Sequence, residues 1–136
     1  MMNSNDYKVL HEIPTAQDYC DLRIKCGLSA KDLESVKKAL PRSIYAVQIM
    51  HQGKMIAMGR IVGDGGCFVQ VTDIAVDPEY QKQGLSKIIM ENIMAYIDQH
   101  IPKSCFVTLF ADVDYLYQKY GFVVSAQSIG MKLQRS

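Results

Sequence analysis

What this chain can fold into is constrained most by a change of period at its centre. From residue 44 to residue 76, three strand-like runs follow one another with only turn signals between them. The first run covers 44–50, His51-Gln52-Gly53-Lys54 reads as a turn, and 55–62 makes the second run. The cluster Gly63-Asp64-Gly65-Gly66 reverses the chain again, and 68–76 is the third strand of the meander. From residue 84 to residue 100 the apolar residues recur instead at helical spacing. Leu85, Ile88, Ile89, Ile93, Tyr96 and Ile97 share one face, and Lys87 and Glu91 pair four residues apart on another. An antiparallel meander that runs into a long helix is not a regular βαβ repeat. The chain therefore reads as an α+β, mixed-sheet domain.

The flanks fit that frame. Residues 7–12 alternate weakly and read as a short first strand, stopped by Pro14. Thr15 with Asp18 is a capping-box-like helix start, and the helix carries Tyr19, Leu22 and Cys26 inward before Gly27 ends it. Ser29 with Asp32 makes a second start, with Leu28 and Leu33 at the staple positions and Pro41 as the stop. After Pro102, residues 105–111 form an apolar run short enough for a buried strand. Residues 112–120 read as a short helix with Gly121 as its C-terminal cap. The last strands are expected at 123–124 and 129–133.

The 136 residues suit one domain, 1–136, and no linker or repeat divides them. Fifteen Lys and Arg against fourteen Asp and Glu give a formal charge of +1, which argues against a nucleic-acid partner. No apolar run approaches the ~20 residues of a membrane helix, and the first six residues lack an apolar signal core. The expectation is a cytoplasmic protein with no membrane contact. Cys20, Cys26, Cys67 and Cys105 show no metal-ligand or redox spacing and read as small buried residues, so no metal is expected. His11, His51 and His100 are read as surface residues.

The segment 73–86 carries the chemistry. A strand ends, a polar loop turns and a long helix begins, so free backbone N–H groups and the positive end of the helix dipole meet at one place. That is an anion site suited to phosphate. Gly84 lets an oxygen approach the backbone without a Cβ, Ser86 adds a hydroxyl and Lys82 adds a charge.

The spacing Val76-x-Pro78-x-x-Gln81-x-x-Gly84-x-Ser86 resembles the coenzyme A signature of the GNAT superfamily of N-acetyltransferases, with Ser86 where the family has Gly or Ala. Leu116-Tyr117-Gln118-Lys119-Tyr120-Gly121-Phe122 resembles the superfamily's Phe-Tyr-x-x-x-Gly-Phe, with Leu116 in place of Phe. Residues 73–81 and 109–112 look like the same places in plastid-type serotonin N-acetyltransferases and their bacterial relatives. The resemblance spans roughly residues 44 to 133.

The resemblance implies a three-layer fold with a central mixed sheet of about six or seven strands flanked by helices. Two parallel strands, 68–76 and 105–111, would splay apart to admit acetyl-CoA. It implies cofactor contacts from the backbone of Ile74, Ala75 and Val76, from Gln81, Lys82, Gln83, Gly84, Leu85 and Ser86, and from Asp112 and Tyr117. Tyr117 would be the general acid that protonates the departing thiolate. Asp73 would be either the general base, through water, or a substrate contact. The implied activity is acetyl transfer to a small-molecule or protein amine by direct attack in a ternary complex. The competing expectation is a non-catalytic module that binds or senses acyl-CoA. Family members are often dimers, so a homodimer is among the expectations.

Overall fold

In the computed structural model, which describes residues 6–112 and 115–135, the chain builds a five-stranded sheet between helices on its two faces. Strand β1 (Tyr7–Leu10) is followed by α1 (Ala16–Lys25) and α2 (Leu33–Ala39). The meander is β2 (Tyr45–His51), β3 (Lys54–Gly63) and β4 (Phe68–Val76). Helix α3 (Leu85–His100), β5 (Phe106–Leu109) and α4 (Tyr115–Gln118) complete the order. The strands lie side by side in sequence order, antiparallel except for the β4–β5 pair.

Local chemistry explains these elements. Gln52 and Gly53 both take positive φ, 52° and 76°, in the tight turn between β2 and β3, and His51 pairs with Lys54 across it. Such a turn matches the twist of the strands it joins. Asp64 Oδ1 accepts from the N–H groups of Gly66, Cys67 and Phe68 and so holds the second reversal. Thr15 caps α1, its hydroxyl accepting from the Asp18 N–H at 3.1 Å. The cap of α2 is Asp32, accepting from Ser35, so α2 begins at Leu33, three residues later than the Ser29 start expected.

The sheet separates two apolar clusters. On one face Val47, Ile49, Ile56, Ile61, Val69 and Val71 pack against Leu85, Ile89, Met90 and Ile93 of α3. Gly59 lets that helix approach: a Cβ there would lie 2.6 Å from Ile89 Cγ2 and 2.9 Å from Ile93 Cδ1. On the other face Tyr19, Leu22, Val36 and Leu40 of the N-terminal helices cover Met55, Met58 and Ala75. Burying a side chain of this size contributes about 1.5–3 kcal/mol, so both faces anchor the sheet. The Lys87–Glu91 pair forms at 3.8 Å, but both groups are exposed and it adds little.

Five strands are present among the described residues, not six or seven. The missing ones are those expected at 123–124 and 129–133. Val123, Val124, Ile129, Met131 and Leu133 are all exposed and unpaired with β5. Strand β5 is itself only four residues long and offers little edge to extend. The helix expected over 112–120 is four residues long among the described residues, and 113–114 lie outside them. Gly121, with φ at 94°, closes it as expected.

Candidate active site

The site begins with a fault in the sheet. Met58 pairs with Ala75 and Arg60 pairs with Thr72, so β4 carries one residue more than β3 across that interval. This is a β-bulge. Asp73 sits in it with φ at 60°, a conformation that costs a non-glycine residue energy unless its surroundings enforce it. The parallel pairing of β4 with β5 runs from Phe68↔Phe106 to Val71↔Leu109 and stops. From residue 72 onward that side of β4 has no strand partner among the described residues.

The bulge turns the Asp73 carboxylate toward the N-terminal helices, where it is enclosed. It accepts from Arg23 Nη1 at 2.5 Å, Arg60 Nε at 2.6 Å and the Tyr19 hydroxyl at 2.7 Å. Its side chain is 5% exposed, and those of Arg23 and Arg60 are 8% and 13% exposed. Arg23 also donates to the carbonyl and hydroxyl of Ser29, which ties the α1–α2 loop to the cluster. Arg60 donates to the Ser43 hydroxyl and reaches Tyr19 at 3.4 Å. Burial, and then the bond to Asp73, push the Tyr19 phenol up from its ordinary value. Each oxygen of Asp73 accepts from a guanidinium.

Tyr117 faces the same opening from α4. It is half-buried, its ring stands edge-on to Phe122 at 6.5 Å, and its hydroxyl bonds to no other described residue. Burial raises its pKa above the ordinary tyrosine value, and the charge of Asp112 raises it further. Asp73, Ile74, Asp112 and Tyr117 line one cavity of about 350 Å³ together with Arg23, Leu28 and Phe110. Tyr117 also borders a cavity of about 660 Å³, beside Phe110 and Ile129.

The loop before α3 lies apart from that cavity. Asp77, almost fully buried, accepts from the Glu79 N–H at 3.0 Å and from Lys25 at 3.2 Å. Burial works against its ionised form, but these partners prevail and hold its pKa below the usual range. Gln81 donates to the Val76 carbonyl, which Cys26 also approaches at 3.3 Å. That carbonyl is therefore already engaged, and the open part of β4 is the stretch before it. Lys82 and Gly84 take positive φ, 65° and 80°. Gly84 is the N-cap of α3 with no side-chain cap, and a Cβ there would meet no atom within 4 Å. The N–H groups of the first turn are thus left for a ligand. Leu85 is a core residue and brings only its backbone to that end, whereas Lys82, Gln83 and Ser86 are exposed. Tyr7 donates to the Gln83 side chain.

Three groups of the cluster were not expected at the site: Tyr19 was read only as an inward-facing helix residue, and Arg23 and Arg60 were not singled out. A signal existed for Arg23: it falls four residues after Tyr19, on the buried face of α1. His51 was expected at the surface but is 4% exposed, held between Tyr7 and Tyr80 with Nδ1 3.0 Å from the Tyr80 hydroxyl. The cysteines also divide: Cys105 is buried, Cys20 and Cys26 are half-buried, and Cys67 is exposed.

Residues 42–124, more than half of the chain, match the acetyltransferase (GNAT) domain family. The chain is 42% identical to the protein SA2161 of meticillin-resistant Staphylococcus aureus, a protein of unknown function and probable acetyltransferase. That structure superimposes with a TM-score of 0.88 over 95% of this chain and 99% of the other. It is 31% identical to the histone acetyltransferase TAP1 of Glycine max, over 82% of this chain and 50% of that protein. It is 26% identical to the uncharacterized N-acetyltransferase ycf52 of Pyropia yezoensis, over 90% of this chain and 69% of that protein. Against another relative, the chloroplastic GCN5-related N-acetyltransferase 2 of Arabidopsis thaliana, it spans 30% of the length. The chain belongs to the GNAT family of acetyltransferases. The family's chemistry is acetyl transfer, and its general donor is acetyl-CoA. No helix among the described residues is long and apolar enough to cross a membrane.

Proposed function

We propose that this protein transfers an acetyl group from acetyl-CoA to the amine of an acceptor held in the 350 Å³ cavity. The observation that carries the reading is the opening of the sheet. The pairing of β4 with β5 stops at Val71 and Leu109, and the Tyr117 hydroxyl, bonded to no other described residue, lines the same cavity as Asp73.

Acetyl-CoA supplies an activated thioester whose thiolate must be protonated as it leaves. The residues present suit it. The N–H groups after Gly84 face open space and would take the pyrophosphate, with Lys82 and Ser86 beside them. The free edge of β4 before Val76 would take the pantetheine amides as an added strand would. Tyr117 would stand at the thioester end and give its proton to sulfur. Its raised pKa keeps it protonated at neutral pH. Asp73 serves as a positioning residue: it fixes the bulge and the two arginines, and the amine loses its proton to water. A reducing compartment such as the cytosol suits the four free cysteines.

Donor binding is tested at Gly84. Gly84→Ala places a Cβ where the pyrophosphate would lie, and acetyl-CoA affinity measured by calorimetry should fall by at least ~10-fold. Gly53→Ala, at φ 76° in the β2–β3 turn and also with open space around it, carries the same backbone strain and should bind normally. Equal affinities for the two variants would remove the loop from the site.

A further inference from the structure

We propose that the acceptor is a small amine bearing a carboxylate next to its amino group, an α-amino acid or a close analogue, bound with the carboxylate on Arg23 and the amino group toward Asp112 and Tyr117. The inference rests on the acetyltransferase reading and adds the chemical class of the substrate.

The charge count around Asp73 is the starting point. Two guanidiniums share one carboxylate, and all three side chains are at most 13% exposed. Among the described residues neither arginine has a second carboxylate partner. Among the described residues these three buried side chains carry one positive charge in excess, an arrangement that costs energy until an anion arrives.

Of the two arginines, Arg23 is the one that lines the cavity. A guanidinium has five N–H donors. Three are committed, to Ser29 O, Ser29 Oγ and Asp73, which leaves one N–H on each terminal nitrogen. Ser29 and Asp73 fix the plane of the group, so a carboxylate meets a preorganised fork rather than a mobile side chain. An ion of this kind is where a bound anion gains most and an uncharged group gains least.

A carboxylate outside the arginine cluster also lines the cavity. Asp112 lines the same cavity, is exposed, and lies near enough to Tyr117 for its charge to act on the phenol. The excess positive charge of the Arg23–Arg60–Asp73 cluster would take the carboxylate of a zwitterion, and Asp112, which acts on Tyr117, would take its amino group. That orientation puts the nitrogen on the Tyr117 side, where the thioester would end. The volume, about 350 Å³, is at the small end for ligand pockets and fits a molecule of amino-acid size.

The test compares α-amino acids with their decarboxylated amines, pair by pair, as acetyl acceptors. The carboxylate-bearing member should have a kcat/KM at least ~10-fold higher, as a charge-assisted fork contributes. Arg23→Met leaves Asp73 paired one-to-one with Arg60. It should raise the KM of the amino acid by roughly 10–100-fold more than that of the matched amine. Calorimetry with the N-acetylated products reads the same preference without turnover. Equal or better use of the amines, or a preference that survives Arg23→Met, overturns the proposal. If Arg23→Met does not fold, the wild-type pairs decide alone. Acetylation without a preference removes the carboxylate site and keeps the enzyme. Binding of N-acetyl amino acids through Arg23, with no acetylation of any amine, keeps the site and removes the transfer reading.

Discussion

Tyr117→Phe is expected to lower turnover by about 10²–10⁴-fold, the scale of one positioned acid. The substitution removes a hydroxyl that bonds to no other described residue and keeps a ring that packs on Phe122. Stability and acetyl-CoA affinity should therefore change little. The pH profile carries a second signature. Burial and Asp112 raise the Tyr117 pKa above its ordinary value near 10, so the acid stays protonated throughout the neutral and mildly alkaline range. The wild-type rate should rise with pH as the acceptor amine loses its proton. It should show no falling limb from Tyr117 below about pH 10. Near-normal turnover of the phenylalanine variant with several good acceptors would make Tyr117 a packing residue.

The second large effect belongs to stability. Asp73→Asn keeps the shape of the side chain and tolerates the left-handed backbone at φ 60° as well as aspartate does, so the bulge itself is not strained further. What it removes is the carboxylate that pairs with both Arg23 and Arg60. Breaking a buried charged pair from one side costs about 3–5 kcal/mol. For a domain of this size the melting temperature should fall by roughly 10–20 °C. Adding Arg23→Met to Asp73→Asn should recover part of the loss, because one of the two stranded guanidiniums is gone. A simple general base would behave otherwise: the rate would fall, the melting temperature would hold, and the second substitution would recover nothing.

The sequence made the framework legible wherever local chemistry dictates it. The His51–Lys54 turn, the Thr15 cap, the apolar stripe of α3 and the Gly121 stop are each set by a few neighbouring residues. The opening between β4 and β5 followed from the family resemblance rather than from any periodicity. Two kinds of feature were not legible. The alternation of Ile129, Met131 and Leu133 looks like a strand, but a strand also needs an edge to pair with. Phe110 leaves β5 after four residues, and its ring lies where a Cβ on Gly130 would point. The second kind is the cluster around Asp73. Arg23 comes from α1, Arg60 from β3 and Asp73 from a bulge in β4, some 13 to 50 positions apart in the chain. The β3–β4 pairing sets Arg60 beside Asp73, and the packing of α1 across the bulge brings in Arg23. An arginine on the buried face of α1 announces that a partner exists without saying which. His51 shows the same limit. A histidine beside a turn is usually exposed, and here Tyr7 and Tyr80 from two other elements cover it.

The central claim is that the chain moves an acetyl group and does not merely hold its donor. The direct measurement incubates the protein with acetyl-CoA and a panel of primary amines and α-amino acids, reading thiol release and N-acetylated product together by mass spectrometry. Acetyl transfer predicts one thiol released for each acetylated amine, at a rate that depends on both substrates and collapses in Tyr117→Phe. Saturable acetyl-CoA binding with no acetylated product from any acceptor would contradict it and leave an acyl-CoA binding module.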